Sequence, residues 1–251
     1  MKIVSWNVNS VKARLEHLVK YLRENAPDVI LLQELKCQDE AFPYMEIEEL
    51  GYNIAIYGQK SYNGVAILSK HRIEDVYKEL DVSESRYIEA VTNGVRVASV
   101  YVPNGQEVGA DKFKYKMSFF KNLHTHLKSL LQYDEKIVIG GDYNVAPCDI
   151  DVYDPQALRG TVCFHPEEQY WFRTIENSGY VDSFRVIHPE KQVFSWWDYR
   201  AGAYQGNKGM RIDHIFLSPE AADVLQDAGI DAITRGWDKP SDHAPAWVEI
   251  A

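Results

Sequence analysis

Cysteine is scarce: the 251 residues hold three, Cys37, Cys148 and Cys163. An odd count without metal-ligand spacing excludes a disulfide framework and a cysteine-based zinc site. Plain thiols in a reduced cytoplasm are the expectation. No apolar run is long enough to span a bilayer, and the one near the start, Ile3-Val4-Ser5-Trp6, is too short for a signal peptide. No Pro/Gly/Ser-rich stretch, low-complexity tract or like-charge block marks a linker. The expectation is therefore one domain over residues 1–251, long enough to bury a large core. No spare apolar helix or heptad suggests a subunit interface, so a monomer is expected. Positive charge is also short. With 27 Lys and Arg against 37 Asp and Glu the net charge is -10, which argues against a broad passive phosphate-binding surface. An enzyme that meets phosphate locally, through a metal cation and a few basic side chains, stays open.

What is present is organised around Ile137-Val138-Ile139-Gly140-Gly141-Asp142-Tyr143-Asn144. The β-branched run predicts a buried strand that the two glycines stop. Asp142 and Asn144 follow, two residues apart, so in extended chain both project to one side. A carboxylate and an amide at the rim of a sheet suit chemistry needing an acid-base group and an orienting donor. Taken alone, the stretch reads more readily as a strand ending in a turn.

Other segments repeat the pattern. Lys2–Asn7 predicts a strand, with Asn9 or Ser10 capping a helix whose apolar stripe runs from Val11 to Leu22. Val29–Gln33 predicts a second strand with Glu34 at its end. Phe42–Leu50 suggests a short helix, and Tyr52–Tyr57 and Val65–Ser69 suggest strands. Tyr87–Thr92, Asn93-Gly94 and Val95–Val102 form a hairpin signal that delivers Tyr101 and Asn104. Phe113 to Leu130 keeps helical spacing. His124 and His126, two apart on that helix, face different directions and do not suggest a shared metal. Glu167–Ser178 predicts another helix. Phe194–Arg200 is dense in aromatics. Met210–Leu217 predicts a strand carrying Asp213, an acid that is costly inside an apolar strand unless paired; His243 is the candidate partner. A helix at Pro219–Asp227 and strands at Gly229–Ile233 and Ala246–Glu249 complete the reading. Strands with amphipathic helices and hairpins favour an α/β class: two packed mixed β-sheets flanked by helices.

Six pieces carry a resemblance: Ser5-Trp6-Asn7-Val8-Asn9, Leu32-Gln33-Glu34-Leu35-Lys36, Tyr101-Val102-Pro103-Asn104-Gly105, Gly140-Gly141-Asp142-Tyr143-Asn144-Val145-Ala146-Pro147, Arg211-Ile212-Asp213 and Ser241-Asp242-His243-Ala244-Pro245. In this order, over essentially the whole chain, they resemble the exonuclease-endonuclease-phosphatase superfamily, and within it the exodeoxyribonuclease III and apurinic/apyrimidinic endonuclease relatives. The resemblance implies a four-layer α/β sandwich and a metal-dependent phosphodiesterase of base excision repair. Such an enzyme cuts duplex DNA 5′ to abasic sites and removes blocking groups or nucleotides from 3′ ends. It implies Mg²⁺, with Mn²⁺ as a substitute, and all-oxygen ligands suit these hard ions.

The implied metal set is Asn7, Glu34 and Asp242, with Asp142, Asn144 and His243 beside them. Asp142 would orient or deprotonate the attacking water and Asn144 position it. His243, held by Asp213, would donate to a phosphate oxygen. Tyr101 and Asn104 would contact the phosphate. Trp196, Met210 and Ile212 would line a small apolar pocket for a flipped abasic sugar, while Trp197 and Tyr199 read as packing. Lys12, Arg200, Lys208 and Arg211 are backbone-contact candidates. Ser83-Glu84-Ser85-Arg86 departs from the family's Gly-Arg turn, which leaves the role of Arg86 open. Two other readings stand beside this one. The same chemistry could act on a lipid or inositol phosphate, against which the aromatic segment argues. A silent DNA-binding module is the other, against which the presence of Glu34, Asp142, Asp213 and His243 argues.

Overall fold

The computed structural model describes residues 1–78, 80 and 84–251; Ser83, whose departure was noted above, lies outside the described residues. Its strands are β1 (Lys2–Asn7), β2 (Val29–Gln33), β3 (Asn53–Tyr57), β4 (Val65–Ser69), β5 (Ile73–Tyr77), β6 (Tyr87–Thr92), β7 (Val95–Tyr101), β8 (Ile137–Asp142), β9 (Val181–Asp182), β10 (Asp213–Leu217), β11 (Leu225–Ile230) and β12 (Ala246–Ile250). They form two six-stranded sheets, ordered β11-β12-β1-β2-β4-β3 and β5-β6-β7-β8-β10-β9. Each is mixed. β1 and β2 run parallel in the first, β7 and β8 in the second, and the remaining neighbours are antiparallel.

The central strands are apolar on both faces because both faces are covered. Along β1 and β2, Ile3, Val29 and Leu31 point inward, where they pack with Val97, Val138 and Ile215 of the other sheet. The alternate residues Val4, Trp6, Ile30 and Leu32 point outward against Leu18, Tyr21 and Leu22 of the helix Leu15–Asn25. On the far side Ala98, Val100, Ile137 and Ile139 meet Phe113, Phe120 and Leu127 of the helix Asp111–Leu130, and Phe172 and Ile175 of the helix Pro166–Asn177. The layers are helix, sheet, sheet, helix, and a fully buried side chain of this kind contributes roughly 1.5–3 kcal/mol. The Asn93-Gly94 turn is as expected, with φ of 50° and 74° joining β6 to β7.

Gly140 and Gly141 do not stop β8; the strand runs through them to Asp142. At Gly140 they allow close sheet contact, since a Cβ there would lie 2.8 Å from Leu31 Cδ1 and 2.9 Å from Ser5 Cβ. Ser5 belongs to a small polar seam between the sheets. Gln33 Nε2 donates to Ser5 Oγ at 3.2 Å and to Ser99 Oγ at 2.9 Å.

Neither Asn9 nor Ser10 caps the first helix, which begins only at Leu15. Both sit in the left-handed region, and the chain turns so that Ser10 N donates to Glu34 O at 2.8 Å. The Phe42–Leu50 helix shrinks to Tyr44–Glu48, and Pro219–Asp227 to Pro219–Ala222. β11 lies four residues earlier than its apolar run suggested, and β5 carried too little apolar signal to be read. β10 starts at Asp213. Met210 instead makes isolated bridges to Trp196 and Val152.

Candidate active site

The sheets bring their acids together at one end. Asn7 ends β1, and its register partner Gln33 ends β2, so Glu34 emerges beside it. Tyr101 and Asp142 pair where β7 and β8 end, and Asp142 also pairs with Asp213, the first residue of β10. Asn7 bridges the two sheets: its single Nδ2 donates to Glu34 Oε1 and to Asp142 Oδ2, both at 2.9 Å. Ligand atoms of Glu34, Asp142 and His243 all lie within 4.8 Å of one another. The two carboxylates of this set, Glu34 half-buried and Asp142 buried, are oxygen donors of the kind a hard divalent cation takes. Glu34 Oε2 is also held by Lys36 Nζ at 2.9 Å.

His243 sits between two carboxylates. Nδ1 lies 2.9 Å from Asp213 Oδ2 and Nε2 lies 3.6 Å from Asp142 Oδ2. Burial works against a charged imidazole, but Asp213 and Asp142 outweigh it and hold His243 well above the ordinary histidine range. Burial pushes the Asp142 carboxyl up; Asp213 and Glu34 add to the rise, while His243 and the Asn7 amide oppose it. Burial, with Glu34 and Asp142 nearby, keeps the Tyr101 phenol far above its usual range and hence a neutral donor.

These groups face a cleft of about 330 Å³. Its floor includes Glu34, Tyr101, Asp142, Asn144 and His243; Asn104 and Asp242 stand at its polar side. Trp196, Met210 and Ile212 form an apolar wall. Asn144 is not extended: its φ is 50°, and its N–H returns to Asp142 Oδ1 at 2.9 Å. The amide of Asn104 donates to Asn144 Oδ1 at 2.9 Å. Asp242 lies outside the close acid cluster, with its oxygens taken by Asn9 Nδ2 at 2.9 Å and Trp196 Nε1 at 3.0 Å. Trp197 is core, as expected for one of two adjacent tryptophans, but Tyr199 is 51% exposed and its hydroxyl joins Asn9 and Arg14.

Four substrate-contact candidates lie elsewhere. Arg211 is buried, with Nε 2.7 Å from Asp151 and Nη1 2.7 Å from Asp182. A guanidinium consumed by two internal carboxylates has no surface to offer a phosphate. Arg200 is exposed and paired with Asp198, and Lys12 lines a separate hollow with His17 and Asp238. Lys208 is likewise exposed.

One contributor, Arg86, had been left open and others were missed. Arg86 stacks 4.7 Å from the Tyr101 ring centroid and pairs with Glu84 at 2.5 Å, which gives it a place beside the cleft. Ser195 Oγ donates to Asp213 Oδ2 at 2.6 Å, behind His243. Lys36 Nζ also reaches Asn9 Oδ1, at 2.5 Å. Glu34 and Lys36 both have positive φ, 53° and 54°, so alternation along extended chain carried no signal for that contact. Strained backbone of this kind collects at functional sites.

A model of the endonuclease/exonuclease/phosphatase family matches residues 4–243. The chain is 37% identical to exodeoxyribonuclease III of Haemophilus influenzae over 269 residues, covering all of both chains. Among solved structures, the 3′ phosphatase NExo from Neisseria bound to a product DNA hairpin superposes with a TM-score of 0.98 at 40% identity, covering 100% of this chain and 99% of that one. An AP endonuclease from Archaeoglobus fulgidus superposes with a TM-score of 0.96 at 36% identity, with the same coverage.

Proposed function

The chain belongs to the endonuclease/exonuclease/phosphatase family, and from that premise we propose that residues 1–251 form one nuclease domain acting on duplex DNA. In this reading the enzyme cuts 5′ to abasic sites and trims 3′-blocking groups or nucleotides in base excision repair. The observation that carries the proposal is the bridge at Asn7: one amide ties Glu34 of one sheet to Asp142 of the other, next to His243 and an apolar wall.

The acid cluster fits a divalent metal, with Mg²⁺ as the working ion and Mn²⁺ as a substitute. Glu34 is its main ligand, with Asn7, Asp142, Asn144, Asp242 and His243 around it. Bound there, the ion would supply charge neutralisation and Lewis acidity at the phosphate. The chain's own groups do the rest. Asp142 orients or deprotonates the attacking water, and Asn144 fixes Asp142 through its backbone N–H. His243, kept cationic by Asp213, donates from Nε2 to a phosphate oxygen, stabilising the charge that develops there. Tyr101 and Asn104 hold the phosphate, with Arg86 beside Tyr101. Trp196, Met210 and Ile212 admit a flipped sugar that lacks its base, which selects damage by size. Lys12, Arg200 and Lys208 are exposed cations for the DNA backbone.

The protein is proposed to act as a monomer in the cytoplasm; among the described residues no helix is long and apolar enough to cross a membrane. The test uses a labelled duplex with one abasic analogue beside an undamaged duplex with recessed 3′ ends, each with Mg²⁺ and with EDTA. Incision 5′ to the lesion that stops in EDTA is expected. No cleavage of either duplex by folded protein with Mg²⁺ or Mn²⁺ would overturn the reading.

A further inference from the structure

We propose that Lys116 is a positioning residue for the catalytic rim, and that its buried ammonium sets the geometry of Asn104 and Asn144. The ammonium lies on the helix Asp111–Leu130 with its side chain wholly buried. A buried cation is costly unless each of its protons finds an acceptor. Lys116 Nζ has three: Asn144 O at 2.7 Å, Asn104 O at 3.1 Å and the Glu168 carboxylate, also wholly buried. That matches the three donors of an ammonium.

The acceptors come from three separate places. Asn104 follows β7, Asn144 follows β8, and Glu168 lies in the first turn of the helix Pro166–Asn177. Glu168 is itself fixed, because Oε2 accepts from His165 N at 3.0 Å. Gly105 lies against the lysine stem, where an added Cβ would sit 3.2 Å from Lys116 Cδ. One cation therefore pins two loops to one another and to a helix.

What it pins is connected to the reaction. Asn144 holds a φ of 50°, uncommon for a residue other than glycine, with its carbonyl turned to the ammonium. From there Asn144 N–H reaches Asp142 Oδ1, and Asn144 Nδ2 reaches Val102 O at 3.0 Å. Asn144 Oδ1 receives the Asn104 amide. An apolar side chain of equal length would fill the space and leave both carbonyls, the Asn144 one buried, without this donor. Small displacements of positioned groups cost rate steeply.

The turnover arm of the test rests on the phosphodiesterase reading above; the spectroscopic arm does not. The discriminating variant is the double substitution Lys116→Met with Glu168→Gln. It removes the donor without stranding a buried charge, so a purely structural ion pair would be replaced at little loss. The expected result is a folded protein whose kcat for abasic-site cleavage falls about 10–100-fold, with KM for the duplex nearly unchanged. Glu168→Gln alone keeps the lysine on both carbonyls and is expected to retain most of kcat. In ¹⁵N–¹H spectra the Gly105 and Val145 amides, which follow the two carbonyls, are expected to shift in the double variant.

Wild-type kcat together with unmoved Gly105 and Val145 resonances would overturn the proposal. A wild-type chain that cleaves no DNA would sink the phosphodiesterase reading, and the two resonances would still decide this one. If the double variant does not fold, the same resonances are followed in Glu168→Gln. There the ammonium redistributes onto the carbonyls and both amides move; unmoved amides count against positioning.

Discussion

His243 is held by Asp213 from one side, at 2.9 Å, and faces Asp142 on the other, at 3.6 Å. The imidazole thus has a fixed orientation and a reason to stay charged. Asp213→Asn removes the charge while keeping a hydrogen-bonding group next to Ser195 Oγ. Turnover is expected to fall by roughly 10²-fold or more, with DNA affinity nearly unchanged. Single-turnover incision under saturating enzyme measures this, and a loss below threefold would remove His243 from the acid role.

Asp142→Asn should abolish incision and leave DNA binding largely intact, because the amide fills the same volume beside Asn7 and Asn144 N–H. Fluorescence anisotropy on the uncut duplex and a cleavage assay on the same sample separate the two effects. Near-normal cleavage would show that another group handles the water.

Arg211→Met should destabilise the fold without touching a DNA contact. Arg211 neutralises Asp151 and Asp182, both buried, and its loss leaves Asp151 with Arg185 and Asp182 with His214 as their remaining partners. The cost is about 3–5 kcal/mol, read from urea unfolding. A variant of unchanged stability but weaker salt dependence of DNA binding would return Arg211 to the list of backbone contacts.

Two acids near Arg211 give opposite pH signatures. Asp182, despite burial, is held well below its usual range by Arg211 and His214. Its contribution is present above the ordinary carboxylate range, about pH 4, and is lost below it. Burial, with repulsion from Asp182, pushes Glu176 up to about 7. A raised carboxyl binds protons more readily in the folded state, so its contribution is largest in acid and fades from about pH 4.5 to 7. Glu176→Gln should match the wild type near pH 4 and exceed it in stability at pH 8. Thermal melts across that range in low salt check it, and parallel curves would refute the Glu176 assignment.

Much of this architecture was readable because the central strands, the hairpin at Asn93-Gly94 and the helix from Phe113 onward state their periods plainly. Asn7, Glu34 and Asp142 were readable as polar residues at the ends of apolar strands, and His243 as the partner that Asp213 demanded. The failures have physical causes. Asn9, Glu34, Lys36 and Asn144 adopt left-handed backbone, which alternation cannot anticipate. Arg211 looked like a surface cation because Asp151 and Asp182 lie 60 and 29 residues away in sequence. Lys116 drew no reading, because nothing local marks the two carbonyls that receive it.

The absence of a side chain at Gly140 reaches further than the strand it belongs to. Asn7 and Glu34 ride on one sheet, Asp142 and Asp213 on the other. The reactive spacing is in effect the thickness of the sandwich at that seam. Loops around the cleft can change without altering that spacing. A change that thickens the seam separates the two halves of the acid cluster whatever substrate is presented.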